Sequence, residues 1–154
     1  MKSVQIKTLI EKNLPWAVVE VSRERRIMVY TPFENLLATL QFLCDQGVTH
    51  VSTITGVDKI QDNKFELLYH LYWEQNEITV RVEVDRDKPI VPTVSTLLPG
   101  AVVYEREIQD MFGICVTDIP DRRRLLLFDE WPEGEYPLRK DYEVKANVTD
   151  IRGI

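Results

Sequence analysis

Two cysteines and two histidines are the only thiol and imidazole ligands that the 154 residues offer a transition metal. Cys44 and Cys115 stand alone, without the close CxxC spacing of a zinc or iron–sulfur site, so both read as reduced thiols. His50 and His70 are too few for a histidine-rich metal centre. Long apolar runs are also missing. The longest charge-free stretch, residues 90–104, falls short of the roughly 20 residues a spanning helix needs, and Pro92, Pro99 and Gly100 interrupt it. The amino-terminal segment carries Lys7, Glu11 and Lys12 among its apolar positions and reads as an amphipathic helix rather than a signal peptide. A cytosolic chain, attached to a membrane only through a partner, is the expectation. An excess of cations is lacking too: Lys and Arg total 19 against 25 Asp and Glu, a net charge of -6, which argues against a nucleic-acid protein.

What remains is enough for a core. The apolar share is 44%, and a chain of this length is expected to make one domain. Val4, Leu9, Ile10 and Leu14 approximate a helical stripe ended by Pro15. Residues 16–21 and 26–30 read as a hairpin across SRER. Pro32 opens a helix with Leu36, Leu37, Leu40, Leu43 and Cys44 at helical spacing, ended by Gly47. Three strands follow at 48–57, 64–73 and 77–85. In KFELLYHLYW, Phe65, Leu67, Tyr69, Leu71 and Trp73 alternate with Glu66, Leu68, His70 and Tyr72, so His70 reads as a half-buried strand residue. Asp58, Lys59, Gln61, Asp62 and Asn63 read as a solvated turn, since a calcium loop needs carboxylates at alternate positions and a closing Glu. The fold class expected is α+β: a single mixed or antiparallel sheet covered by helices, with residues 1–100 as the sheet body and 101–154 as a helix and an extended docking tail, one structural domain in all.

Charge, aromatics and turn residues concentrate in residues 104–142. Residues 104–112 predict a short helix with Tyr104, Ile108, Met111 and Phe112 on one face and Arg106 and Asp110 opposite, four apart and able to pair. Glu105 and Glu107 flank the apolar stripe, where burial demands cationic or hydrogen-bonding partners; Arg122, Arg123, Arg124, Arg139 and Lys140 are the candidates. The two glutamates point to different sides of the helix, so they do not converge on a substrate atom as a catalytic pair does. Beyond the helix come isolated apolar anchors, Leu125 to Leu127, Phe128, Trp131, Tyr136, Leu138 and Tyr142, joined by Pro132, Gly134 and Pro137. Such a tail either wraps its own domain or lies over another protein, aromatics and Arg being the residues that dominate interfaces.

YEREIQDMFGI, then PDRRRLLL, then WPEGEYPLRKDY, resemble the signature of the 30-kilodalton subunit of respiratory complex I, whose relatives occur in F420H2 dehydrogenase and in energy-converting, membrane-bound nickel–iron hydrogenases. VSTITGVD, FELLYHLYW and TVSTLLPGA extend the resemblance over residues 48–142. Where complex I has Gly-His-Pro before the arginine pair, this chain has Asp118, Ile119 and Pro120. The Pro-Gly-Ala before the helix and the Trp-Pro-Glu-Gly are similar to the hydrogenase branch. The resemblance implies a subunit that binds no cofactor itself. It would sit at the cytoplasmic side of the membrane in the peripheral arm of an ion-translocating redox complex. There it would brace the large catalytic subunit, while iron–sulfur clusters and a nickel–iron site belong to partner subunits. It also implies that Glu105, Arg106, Glu107, Asp110, Phe112, Arg123, Arg124, Trp131, Leu138, Arg139, Lys140 and Asp141 form a partner interface or buried ion pairs. Glu105→Ala or Arg139→Ala is then expected to weaken assembly and leave the sheet folded. The rivals are a stand-alone enzyme using Glu105, Glu107 or His70, for which no convergent constellation is visible, and a generic scaffold domain.

Overall fold

The alternation in residues 64–85 builds the centre of the sheet. In a computed structural model, which describes residues 1–144, β4 (Lys64–Trp73) and β5 (Asn76–Asp85) pair antiparallel, with Leu67 opposite Val82, Tyr69 opposite Val80 and Leu71 opposite Ile78. The last ten residues of the tail expected at 101–154 lie outside the described residues. β3 (Val51–Lys59) adds antiparallel to β4. On the other side β2 (Arg26–Tyr30) runs parallel to β5, and β1 (Val18–Arg23) closes the sheet as an antiparallel edge, giving the order β1-β2-β5-β4-β3. The parallel pairing follows from the connection: the chain leaves β2 through α2 (Leu36–Asp45), β3 and β4 before it returns as β5. One inward row, Val19, Val29, Val80, Tyr69 and Ile54, crosses all five strands and is buried throughout. This is the mixed sheet expected.

Helices cover the inward face. α1 (Ser3–Asn13) buries Ser3, Ile6 and Ile10, and Leu14 behind it, leaving Val4 exposed. The stripe is thus rotated from the expected one, because Ser3 donates to Asn76 Oδ1 at 2.9 Å and fixes which face turns inward. That bond also draws Asn76 into β5, shortening the β4–β5 turn to Glu74 and Gln75, with Glu74 in the left-handed region. α2 ends on Gly47, whose φ of +110° closes a Schellman turn: Val48 N–H donates to Leu43 O and Gly47 N–H to Cys44 O. Val48 is spent there, which moves the start of the next strand to Val51.

Two short strands, β6 (Ile90–Pro92) and β7 (Cys115–Thr117), pair in parallel around α3 (Ala101–Phe112). This unit lays α3 against β3, where Phe112 sits on Gly56 and meets Phe65 edge-on at 5.8 Å. A Cβ on Gly56 would stand 2.6 Å from the Phe112 ring. Gly56→Ala is therefore expected to cost about 1–3 kcal/mol in urea unfolding, the usual range for overpacking. Phe112→Leu in the same chain should recover part of that loss; independent, additive effects would refute the contact.

Candidate functional site

The charged residues of α3 and the tail are satisfied mostly by backbone. Asp110, expected to pair with Arg106 along the helix, instead accepts through Oδ2 from the consecutive amides of Leu125, Leu126 and Leu127 at 2.8, 2.9 and 3.2 Å. Arg106 reaches the tail in the opposite sense. It donates to the carbonyls of Arg123 and Arg124 at 2.7 and 2.9 Å and faces Asp121 at 3.3 Å. The expected i,i+4 pair is absent because each partner finds a stronger claim in the loop crossing α3, several donors or acceptors at once against one exposed ion pair worth a few tenths of a kcal/mol. Arg124 in turn closes the following turn, donating to Phe128 O and Trp131 O at 2.9 and 2.7 Å. The Trp131 indole donates to Glu135 O at 2.9 Å and packs edge-on against Phe128.

The next segment is clamped onto the sheet body. Gly113, at φ +70°, lets α3 end and lets the Tyr136 ring lie where a Cβ would be 2.4 Å away. Arg139 slides its guanidinium between Tyr136 and Phe65, 4.6 and 5.1 Å from the ring centroids, and donates to Phe112 O, an orphan carbonyl at the end of α3, at 2.7 Å. Leu138 N–H donates to Met111 O. Asp58, in β3, is buried and takes Arg86 in two bonds of 2.9 and 3.1 Å and the Lys140 amide at 2.9 Å; Arg86 also binds Asp141 at 2.7 Å. Burial pushes the Asp58 carboxyl up, but the Arg86 and Lys140 hydrogen bonds and the Arg86 and Arg139 charges outweigh it and hold it below the usual carboxylate range.

Asp58 corrects the solvated-turn reading. Residues 60–63 turn, as a short 3-10 helix capped by Asn63 in the left-handed region, and Asp58 and Lys59 belong to the strand before it. Glu105 corrects another expectation. It is buried away from every candidate arginine, accepting from Val94 N–H at 2.6 Å and from the Thr93 hydroxyl at 2.7 Å, which also touches Ser95 Oγ at 2.6 Å. It ties α3 to the single turn after β6. Burial, partly opposed by those two bonds, raises its pKa. Glu107 is half-buried and has no hydrogen bond or ion pair among the described residues. Arg123 pairs with Asp121 on the surface at 2.7 Å, and Lys140 contributes its backbone rather than its ammonium. His70, half-buried as expected, lies on the open sheet face beside Thr55, Thr79 and Glu77.

Asp58, Arg86 and Thr93 were missing from the candidate residues, and Tyr136 was expected only as a tail anchor. Arg86 carried a faint signal, a cation directly after the clean alternation of VRVEVD. With its backbone pinned, the tail turns Leu126, Phe128 and Leu138 outward, 58, 55 and 53% exposed. Among the described residues no three His, Cys, Asp or Glu side chains gather as a metal site, and no helix is long and apolar enough to cross a membrane.

The sequence profile described as respiratory-chain NADH dehydrogenase, 30 Kd subunit, matches residues 29–148. Formate hydrogenlyase subunit 5 of Escherichia coli K12 is 56% identical over 120 residues, 75% of this chain and 21% of that protein. Hydrogenase-4 component G of the same organism is 33% identical over 88% of this chain and 26% of its own length. An NADH-quinone oxidoreductase subunit of Rhizobium leguminosarum is 42% identical over 77% of this chain and 60% of its own length. The chain thus spans a fifth to a quarter of the two hydrogenase relatives and three fifths of the third. Among solved structures, a chain of the membrane-bound sulfane sulfur reductase, an archaeal respiratory membrane complex, superposes with a TM-score of 0.86 at 30% identity, covering 98% of this chain and 91% of that one.

Proposed function

The chain belongs to the respiratory-chain NADH dehydrogenase 30 Kd subunit family, and on that premise we propose that it is a cofactor-free peripheral-arm subunit of a membrane-bound, ion-translocating redox complex of the nickel–iron hydrogenase type. It braces the large catalytic subunit, with residues 1–100 as its body and 101–154 as the part that meets the partner. Iron–sulfur clusters and the nickel–iron site belong to neighbouring subunits, and the membrane is reached through them from the cytoplasmic side. The observation that carries this reading is the tail: its backbone is held rigidly by Asp58, Arg86, Asp110 and Arg139, while Leu126, Phe128 and Leu138 face outward. A preorganised surface loses little entropy on binding, and exposed aromatic and aliphatic anchors on it are what a partner buries. The names of the two hydrogenase relatives favour the hydrogenase branch, and their greater length accommodates the homologous stretch beside a larger neighbour in one polypeptide.

Phe128→Ala combined with Leu138→Ala tests it. Both side chains are exposed and the main loss is the edge-on Phe128–Trp131 contact, so stability of the isolated chain should fall by no more than about 1.5 kcal/mol. Recovery of the chain with the membrane complex should fall at least tenfold, the effect of about 1.4 kcal/mol at an interface. Full recovery of an active complex would remove the docking role.

A further inference from the structure

The two edges of the main sheet are not alike. β1, on one side, carries Glu20 and Arg23, both exposed, and a bulge between Val21 and Arg23. Charges and bulges are the features that keep a free edge from pairing with other chains. β3, on the other side, has its register shift at the start, between Val51 and Thr53. Beyond it Thr53, Ile54, Thr55, Gly56 and Val57 run in regular register along β4 with no charge and no proline. Among the described residues no backbone hydrogen bond reaches this stretch from the side away from β4. Thr55 and Val57 are exposed and Gly56 is half-buried; a glycine's accessible surface is all backbone, so solvent reaches the main chain here. The edge is continuous with the tail. Val57 precedes Asp58, the acceptor of the Lys140 amide, and the exposed Leu138 stands just before Arg139 and Lys140. A protein that covers Leu138 therefore meets the end of this edge and would bury its amides and carbonyls, which is costly unless they are paired. An apolar patch leaves the chemistry of its occupant open, whereas a row of unpaired amides and carbonyls fits an extended main chain. We propose that the protein covering the tail adds one extended segment to the outer edge of β3, lengthening the five-stranded sheet by a strand. Its side chains beside Thr53, Thr55 and Val57 are uncharged and β-branched or aromatic, the cross-strand neighbours that pack on such a row. The inference rests on the docking reading above and names the form the partner takes there.

Thr55→Lys gives the exposed row of this edge the charge that it lacks, and Thr55→Val keeps it uncharged. Recovery of the chain with the membrane complex should fall about tenfold or more in the lysine variant and hold in the valine variant. Both variants should keep urea midpoints close to the parent's. The direct readout is hydrogen exchange of the amides of residues 53–57, one by one, in the isolated chain and in the membrane complex purified with it. Alternate amides of the strand point to the same side. In the isolated chain the set that does not bond β4 should exchange fast, and in the complex it should slow about tenfold or more. A fast set unchanged in the complex, or full recovery of Thr55→Lys, overturns the proposal. So does a set already slow in the isolated chain that becomes fast on dilution as a dimer dissociates in sedimentation, which would assign the edge to a second copy. Fast exchange in the complex while Phe128→Ala, Leu138→Ala loses recovery sinks the added strand and leaves the docking role; slowed exchange with full recovery of that double variant keeps the added strand and sinks the docking role.

Discussion

Asp58→Ala should lower folding stability by about 3–5 kcal/mol, because it leaves the largely buried Arg86 guanidinium with only the exposed Asp141 carboxylate as a partner. The loss has two parts that separate experimentally. The Arg86–Asp58 pair links β3 to the end of β5, whereas the Lys140 amide and Asp141 link the tail to that pair. Lys140 and Leu138 amides should therefore exchange much faster in the variant, while Asp141→Ala should loosen only the residues around 141 and leave the midpoint of global unfolding nearly unchanged. Asp58→Ala unfolding within 1 kcal/mol of the parent would show that the pair is dispensable. The same group makes stability sensitive to acid. With its carboxyl held below the ordinary range in the folded chain, its contribution is complete above the unfolded value of about 3.9 and is lost as pH falls through the lower folded value.

Glu105→Ala should be next in size, and its effect falls on folding of this chain before assembly. It leaves the buried Val94 amide without its acceptor, at about 1–3 kcal/mol, leaves the Thr93 hydroxyl only Ser95 Oγ to donate to, and opens space under α3. Equilibrium urea unfolding should show a loss of about 2–5 kcal/mol. The pH signature runs opposite to that of Asp58. A carboxyl raised by burial binds its proton more tightly when folded, so stability falls as pH rises from the unfolded value near 4.3 through the folded one. Glu105→Gln, neutral and of similar shape, should be far milder than the alanine change and should flatten that decline. Parallel stability–pH curves for the parent and the glutamine variant would contradict the assignment.

The sheet was legible because its information is periodic. Phe65 to Trp73 and Val80 to Val84 announce one inward row each, and a mixed sheet covered on one side follows. The helix expected over residues 104–112 was legible for the same reason, as was its termination at Gly113, although it begins a turn earlier, at Ala101. The tail's attachment was not. Sequence patterns suggest pairing acids with arginines, whereas Asp110 and Glu105 are satisfied by amides and a hydroxyl, and Arg106, Arg124 and Arg139 largely by carbonyls. Backbone groups occur at every position and leave no mark in composition. Asp58 and Arg86 do pair, but Asp58 stands beside genuinely solvated neighbours and its burial depends on residues 139–141 lying over it. Gly113 read as a helix stop; that its missing side chain also seats Tyr136 is a tertiary fact. Within the described residues the tail binds its own domain through its backbone and through the Tyr136 and Arg139 side chains, and it leaves Leu126, Phe128 and Leu138 exposed.

Hydroxyl-radical footprinting of Phe128 and Leu138, in the isolated chain and in the membrane complex purified with it, reaches the central claim directly. Both side chains should react readily in the isolated chain and fall severalfold in the complex, with Phe65 and Tyr69 protected in each. Equal reactivity of Phe128 and Leu138 in the two preparations would mean that nothing covers the tail, and the docking account would fail.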